Sequence, residues 1–189
     1  MELFYNFIFH PQRAVNQGKE DGNILTSIFL LIFSILSLEI SNSLIFSAQS
    51  GLREILFSTI FLLLFTLFTI ILSSIVINFS AEIFGKRKTA TKLIKLMILS
   101  TIPLVFLTPT AIILTAIGGN KIYFLVKMII TIWTVSLQVY ILREYYDTSL
   151  IKAFLMYISP VAAGFFLIAL IGILFTFFIF TQLGFNFFI

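Results

Sequence analysis

Five long apolar runs constrain the fold of this chain more than any other feature. A window of about 19 residues places them near residues 24–47, 55–80, 93–117, 122–142 and 153–180. Each run is at least as long as the roughly 20 residues that a helix needs to cross a bilayer. Backbone N–H groups in lipid must be satisfied within the segment, and a helix does this most simply. The runs predict an all-α, polytopic transmembrane helical bundle of about five spans.

The composition agrees with a membrane environment. Only 11% of the residues are charged, whereas a soluble domain carries about 25%. We interpret residues 1–189 as a single membrane domain and residues 1–23 as a short cytoplasmic or interfacial segment before the first span. Because the chain start lacks a basic region and a small-residue cleavage site, we expect no removable signal peptide.

The Lys and Arg residues are divided unevenly between the two sides of the predicted bundle. Nine lie on the side of the N-terminus and three on the opposite side. Under the positive-inside rule, this difference predicts a cytoplasmic N-terminus. With five spans the C-terminus then lies outside, and we expect the plasma membrane as the location.

Proline and glycine punctuate the later spans. Pro103 and Pro109 in the third span, and Pro160 in the fifth, remove backbone donors and predict bends. The sequence Gly118-Gly119-Asn120 predicts a tight turn. Spans three and four should therefore form an antiparallel pair.

Small and hydroxyl residues recur at about seven-residue intervals in three of the spans. Such stripes let helices approach closely and form hydrogen bonds across the contact. We interpret them as packing surfaces, with a solvated path as the alternative. The stripes are Ser27, Ser34, Ser37 and Ser41 in span one, Thr59, Thr66, Thr69, Ser73 and Ser80 in span two, and Ala162, Ala169, Gly172 and Thr176 in span five.

The fourth span carries a candidate intramembrane polar face, which we expect to point inward. Its residues share one side of the helix because they are spaced at i, i+4, i+7 and i+11. The face consists of Lys127, Thr131, Thr134 and Gln138. Glu39 in span one should lie at a depth comparable to that of Lys127, and we hypothesise an ion pair between them. Alternatively, Lys127 extends toward the headgroups, and Glu39 faces them or bonds Arg53.

A basic segment between spans two and three is the densest polar region of the chain. We identify it as a candidate contact for anionic lipids, because cations beside a bilayer attract their headgroups. The alternative is that these residues only determine topology. A nucleic-acid partner is not expected, since no soluble module presents the segment. The candidate residues are Lys86, Arg87, Lys88, Lys92 and Lys95.

The sequence offers little material for catalysis. It contains no cysteine and one histidine, His10, so thiolate chemistry and histidine clusters are excluded. Phosphate-binding glycine loops, zinc-binding helix motifs and nucleophile elbows are absent. We therefore predict no enzyme activity, no cofactor and no metal site.

Several ordered landmarks resemble those of the Yip-one domain family of five-span membrane proteins, and they extend over nearly the whole chain. They comprise a proline before the first span, a glycine turn after the second, a proline within the third, an Ile-Trp pair in the fourth and a Lys-Ala pair at the fifth. In this chain they are His10-Pro11, Ile83-Phe84-Gly85-Lys86, the stretch Ile98-Leu99-Ser100-Thr101-Ile102-Pro103, Ile132-Trp133 and Ser149-Leu150-Ile151-Lys152-Ala153.

The resemblance implies a non-enzymatic, Yip-like role in membrane organisation, shaping or trafficking, exerted through lipids or membrane-protein partners. Better-known members of the family are associated with Rab-type GTPases and carry a long hydrophilic N-terminal region. Only about twenty residues precede the first span here, so we expect no GTPase partner and a compact, prokaryote-like form. The expected partners are the bilayer, anionic lipids, and a membrane protein or a second copy of the chain. The alternative function is a small transporter or channel subunit that uses the polar face of span four.

Overall fold

The protein is described by a computed structural model that covers Tyr5, residues 24–46 and residues 51–186. These residues form six α-helices and one 3-10 helix, with no strand among them. The helices are α1 (Ile24–Phe46), α2 (Leu52–Ile83), α3 (Ala90–Leu99), the 3-10 helix (Ile102–Phe106), α4 (Leu107–Ala116), α5 (Asn120–Tyr146) and α6 (Leu150–Asn186). The predicted interfacial segment lies outside the described residues, apart from Tyr5.

Five stretches of these helices are long and apolar enough to cross a membrane. The third stretch consists of α3, the 3-10 helix and α4, whereas α1, α2, α5 and α6 each provide one of the others. The predicted all-α bundle of five spans is therefore confirmed. Most of the helices continue past the predicted apolar runs, because polar residues at the interface extend a helix without adding hydropathy.

The third span is broken near its middle. Pro103 has no N–H to donate to the carbonyl of Leu99, so the α-helix cannot continue through it. Ser100 and Thr101 donate their hydroxyls to the carbonyls of Met97 and Ile98 at 2.6 and 2.8 Å. The predicted bend at Pro103 is confirmed. No comparable break occurs at Pro109, which lies in the first turn of α4, where a missing N–H is tolerated.

The predicted turn between spans three and four is also confirmed. Gly118 has a φ of +69°, which glycine adopts readily because it lacks a Cβ. The N–H of Gly119 donates to the carbonyl of Leu114 at 2.8 Å and closes the end of α4. This geometry reverses the chain and packs α5 against α4.

The main core lies at the end of the bundle that carries the basic segment. Leu93 and Leu96 of α3, Tyr146 of α5 and Ala153 of α6 are all fully buried there. A second core, around Leu107 and Tyr123, joins α4 to α5. The basic end of the bundle is therefore also its most tightly packed region.

Helix α6 leaves the bundle after Pro160. Every side chain from Val161 to Ile179 is exposed, and α6 contacts its neighbours through its first turns. The stripe of Ala162, Ala169, Gly172 and Thr176 thus packs against no other described helix, so the packing role predicted for it is wrong within a single chain. Spacing identified the stripe, but spacing does not reveal whether a neighbouring helix covers it.

Candidate functional site

The serine stripe of α1 faces the broken third span. All four of its serines are buried. The Oγ of Ser37 accepts a hydrogen bond from the Thr108 N–H at 3.1 Å and donates to the Val105 carbonyl at 2.9 Å. In return, the Thr108 hydroxyl donates to the Ser37 carbonyl at 2.9 Å. Ser41 Oγ lies 2.6 Å from the Tyr123 hydroxyl of α5. The packing role predicted for this stripe is confirmed.

Glu39 and Lys127 have separate hydrogen-bond partners. Lys127 Nζ donates to Asn42 Oδ1 at 2.9 Å, and Glu39 Oε2 accepts from the Ser58 hydroxyl at 2.8 Å. None of the ion pairs among the described residues joins Glu39 to Lys127. The hypothesis of a direct pair is therefore wrong. Lys127 does reach α1, but it contacts the helix about one turn beyond Glu39, where the neutral amide of Asn42 accepts its hydrogen bond.

The predicted polar face of α5 does not line a common cavity. Thr134 is buried and donates to the Ile130 carbonyl at 2.9 Å. Thr131 is exposed and donates to the Lys127 carbonyl at 2.8 Å, so the expectation that the whole face points inward is wrong. On the helical wheel Thr131 lies about 40° from Lys127, beyond the arc that neighbouring helices cover.

A groove of about 380 Å³ lies beside Gln138, between α2 and the first turns of α6. We call it the intramembrane groove, and its lining contains no charged residue. Its polar lining residues are Thr66, Thr69, Ser73, Thr101, Gln138 and Tyr157. Its apolar lining residues are Phe65, Ile70, Ile77, Met97, Pro160 and Val161. Part of the predicted α2 stripe thus faces a groove rather than another helix.

The basic segment lines an open depression at the tightly packed end of the bundle. Its volume is about 310 Å³, and it is lined by Arg87, Lys88, Thr89, Lys92 and Tyr145. We call it the basic cup. The Tyr145 hydroxyl donates to the Thr89 carbonyl at 2.8 Å and closes one wall. Lys88 Nζ lies 5.5 Å from the centre of the Tyr145 ring, a cation–π distance.

Asp147 ties the basic segment to the turn between α5 and α6. Its carboxylate lies 2.6 Å from Lys88 Nζ, and its carbonyl accepts from Lys86 Nζ at 3.1 Å. Asp147 has a φ of +48°, a left-handed conformation that Asp and Asn adopt more readily than most residues. The sequence analysis missed Asp147. The signal that could have identified Asp147 is its position directly after α5, whose last turn carries the basic residue Arg143.

Lys95 does not belong to the basic cup. Its side chain is buried, so the predicted contact between Lys95 and lipid headgroups is wrong. Lys95 follows Leu93 by two positions and precedes Leu96, and all three are buried in α3. Proximity along the chain placed Lys95 with the other cations, whereas rotation around the helix axis directs it into the bundle.

The described residues contain no group of three or more His, Cys, Asp or Glu side chains that could hold a metal ion. The one histidine, His10, lies outside the described residues. The polar chemistry in the described part of the chain is therefore that of hydroxyls, amides, cations and isolated carboxylates.

One landmark of the family resemblance, Trp133, contacts the broken third span. Trp133 of α5 stacks on Phe106 of the 3-10 helix, with ring centroids 6.0 Å apart. Pro103 lies at the break of the same span, and Ala153 is buried at the start of α6. These landmarks therefore lie at packed positions of the third span, α5 and the start of α6.

Comparison with known proteins agrees with these landmarks. The pattern of the Yip1 domain matches residues 5–185 of the chain. No curated protein and no solved structure matches it. Because the match extends over nearly the whole chain and the structure has five membrane-length apolar helices, this integral membrane protein belongs to the Yip1 domain family.

Proposed function

We propose that this chain is a non-enzymatic membrane protein that organises the bilayer by binding anionic lipid headgroups in the basic cup. The observation that carries the proposal is the cup itself, an open depression of about 310 Å³ lined by three cations, one threonine and one tyrosine. A phosphate group in such a depression meets several donors at once, which a scattered set of surface lysines would not provide.

The charge balance at the cup favours an anion. Arg87, Lys88 and Lys92 give the cup three positive charges, and the Asp147 carboxylate offsets one of them through its contact with Lys88. The Asp147 backbone carbonyl also accepts a hydrogen bond from Lys86 Nζ. Asp147 therefore holds the basic segment in place, while its carboxylate offsets only one positive charge. The remaining positive charge is available to attract a headgroup.

The start of α3 adds a second contribution. This helix begins at Ala90, and the side chain of Thr89 makes no capping hydrogen bond. The first N–H groups of a helix lack partners within it and attract anions, an effect that the helix dipole reinforces. Thr89 lines the cup, so the positive end of α3 adjoins the proposed headgroup site.

A binding experiment on the purified protein tests this proposal. We expect the double variant Arg87→Gln/Lys92→Gln to bind phosphatidylglycerol about thirtyfold more weakly, since each cation near a membrane contributes on the order of 1 kcal/mol. The measurement is lipid retention by native mass spectrometry across a titration. The matched control is Arg53→Gln/Lys121→Gln, which removes the same charge at the opposite end of the bundle. Equal losses in both variants would contradict a localised headgroup site.

A second candidate function, solute transport, has one specific observation in its favour. The intramembrane groove contacts the broken third span at Thr101, and interrupted helices frequently line transport sites. The uncharged lining weighs against an ionic solute. If the groove is hydrated, a cysteine at Thr66 should react with a charged, membrane-impermeant thiosulfonate. Since the chain has no cysteine, a single substitution reports on one position.

A further inference from the structure

The intramembrane groove has a length that matches one leaflet of a bilayer. Along α2 it runs from Phe65 to Ile77, a distance of about 18 Å at ~1.5 Å per residue. Half of the hydrocarbon core of a bilayer is about 15 Å thick. The volume of about 380 Å³ is within the range of small-molecule sites. The groove therefore has room for a single extended hydrocarbon chain.

The two ends of the groove differ in chemistry. At one end, Gln138 Oε1 accepts from the Tyr157 hydroxyl at 2.8 Å. The carboxamide N–H groups of Gln138 remain as donors, and no described residue accepts from them. At the other end, Phe65 and Thr66 face the groove. Gln138 and Tyr157 thus mark their end of the groove as the place where a hydrogen-bond acceptor of a ligand can bind.

The polar end of the groove lies nearer the basic end of the bundle. Gln138 precedes the end of α5 by eight residues, and Tyr157 follows the start of α6 by seven, which places both about 10–12 Å from that end. The contacts of Lys86 and Lys88 with Asp147 bring the loop after α2 and the turn between α5 and α6 to the same level. An acceptor group at Gln138 therefore lies in the leaflet on the basic side, with the groove continuing toward the membrane centre.

The lining of the groove selects an uncharged ligand with a long apolar portion. No lining residue is charged, and an ion in such a site would lose its hydration without compensation. The Thr69 hydroxyl donates to the Phe65 carbonyl of its own helix at 2.8 Å, which occupies its proton. Phe65 and Val161, at the rim, are exposed on the surface of the bundle, so a molecule can enter sideways from the bilayer.

From this geometry we propose that the groove holds one acyl chain of a membrane lipid from the leaflet on the basic side, with its ester carbonyl at the Gln138 amide. The chain lies along α2 toward Phe65, between α2 and the first turns of α6. Met97 and Thr101 form the floor. This proposal does not depend on the basic cup, because a neutral lipid satisfies it.

A photoreactive lipid tests the proposal directly. The probe is a phosphatidylcholine with a diazirine in one acyl chain, incorporated into phosphatidylcholine nanodiscs that contain the full chain. We expect labelled peptides to include the floor residues Met97 and Thr101. In Ser73→Phe, which fills the groove, labelling of the floor should fall to background. The matched control is Leu72→Phe on the outward side of α2, where the side chain is 52% exposed and labelling of the floor should be unchanged.

A second variant separates loss of binding from loss of folding. Gln138→Met keeps the volume of the side chain but removes its amide donors. We expect floor labelling at limiting probe to fall roughly fivefold, the equilibrium factor of about one net hydrogen bond. Because Gln138→Met also removes the acceptor of the Tyr157 hydroxyl, the matched control is Tyr157→Phe, which loses the same bond but keeps the amide donors of Gln138 and should keep its floor labelling. Labelling spread evenly over the lipid-facing surface and insensitive to Ser73→Phe would overturn the proposal.

Two other results would also overturn it, and they identify the true occupant. A disulfide between two copies of Thr69→Cys would show that a second copy of the chain covers the groove. Reaction of Thr66→Cys with an impermeant thiosulfonate would show that the groove holds water, which favours the transport function. The probe carries no net charge, so failure here leaves the anionic headgroup site of the basic cup to its own test.

Discussion

At the scale of single residues, this bundle is joined by hydrogen bonds between helices that lie far apart in the chain. Ser37 acts as an external cap for α4, because its Oγ accepts from the N–H of Thr108 in the first turn of that helix. Within a bilayer no water replaces such an acceptor. Interhelical hydrogen bonds in membranes contribute about 0.6 kcal/mol on average and up to about 1.7 kcal/mol.

We expect Ser37→Ala to lower the free energy of unfolding by about 1 kcal/mol, between that average and that maximum, because it leaves the Thr108 N–H without its side-chain acceptor. The measurement is unfolding of the purified protein by titration with a denaturing detergent. The control is Ser136→Ala, since Ser136 is exposed and its hydroxyl donates only to the Ile132 carbonyl of its own helix. Losses of equal size in the two variants would argue against an interhelical cap.

Double-mutant cycles should distinguish the partners of Lys127. The cycle of Lys127→Met with Asn42→Ala should give a coupling energy of roughly 0.5–1.5 kcal/mol, because the two side chains share a hydrogen bond. The cycle of Lys127→Met with Glu39→Gln should give less than about 0.5 kcal/mol. A larger coupling to Glu39 than to Asn42 would restore the ion pair that the sequence suggested.

At the scale of elements, α6 has two different halves. Its first turns are packed, and Ala153 is fully buried there, whereas every side chain from Val161 to Ile179 is exposed. Pro160 stands between the two halves. The Ser159 hydroxyl donates to the Met156 carbonyl at 2.7 Å, which supplies a donor that Pro160 cannot. The helix therefore continues through the proline while its surroundings change from protein to lipid.

A leucine introduced into each half of α6 should reveal this difference. We expect Ala153→Leu to destabilise the fold by about 1–3 kcal/mol through overpacking. Gly172→Leu should not lower stability by more than about 0.5 kcal/mol, because a Cβ added there meets no heavy atom within 4 Å apart from the backbone of its own helix. Detergent unfolding measures both values. A large loss in Gly172→Leu would show that another molecule covers this half of the helix.

At the scale of the whole molecule, charge is concentrated at one end. The loop after α2 and the turn between α5 and α6 meet there through Asp147, above the tightest part of the core. Among the basic residues that the structure describes, the opposite end carries Arg53, Lys121 and Lys127. The positive-inside rule relates this difference to topology.

Cysteine labelling in intact cells tests the predicted orientation. We expect Lys121→Cys to react with an impermeant maleimide from outside, and Arg87→Cys to react only after permeabilisation, because both native side chains are exposed at opposite ends of the bundle. The chain without introduced cysteine is the control, since it has none of its own. The reverse labelling pattern would invert the orientation and place the basic cup outside.

Sequence reasoning was most successful where a property is summed over many neighbouring residues. Hydropathy over about 20 positions identifies a span whatever its neighbours are, and the proline at position 103 breaks a helix by its own chemistry. It was least successful at single contacts. Thr131 was assigned from spacing along one helix and Lys95 from its closeness to other cations in the chain, yet the surroundings of both depend on how their helices are rotated against the others.

Hydropathy, proline chemistry, charge counting and the family pattern are sufficient to predict five membrane-length helices, the break at Pro103, the basic end and the membership of the Yip1 domain family. The contact of Lys127 with Asn42, the closure of the basic segment by Asp147 and the groove beside Gln138 became apparent in the packed bundle. These features depend on contacts between residues that are far apart in the chain. Lys127 and Asn42 are 85 residues apart and Lys88 and Asp147 are 59 apart, so these contacts depend on the packing of whole helices, which local periodicity does not encode.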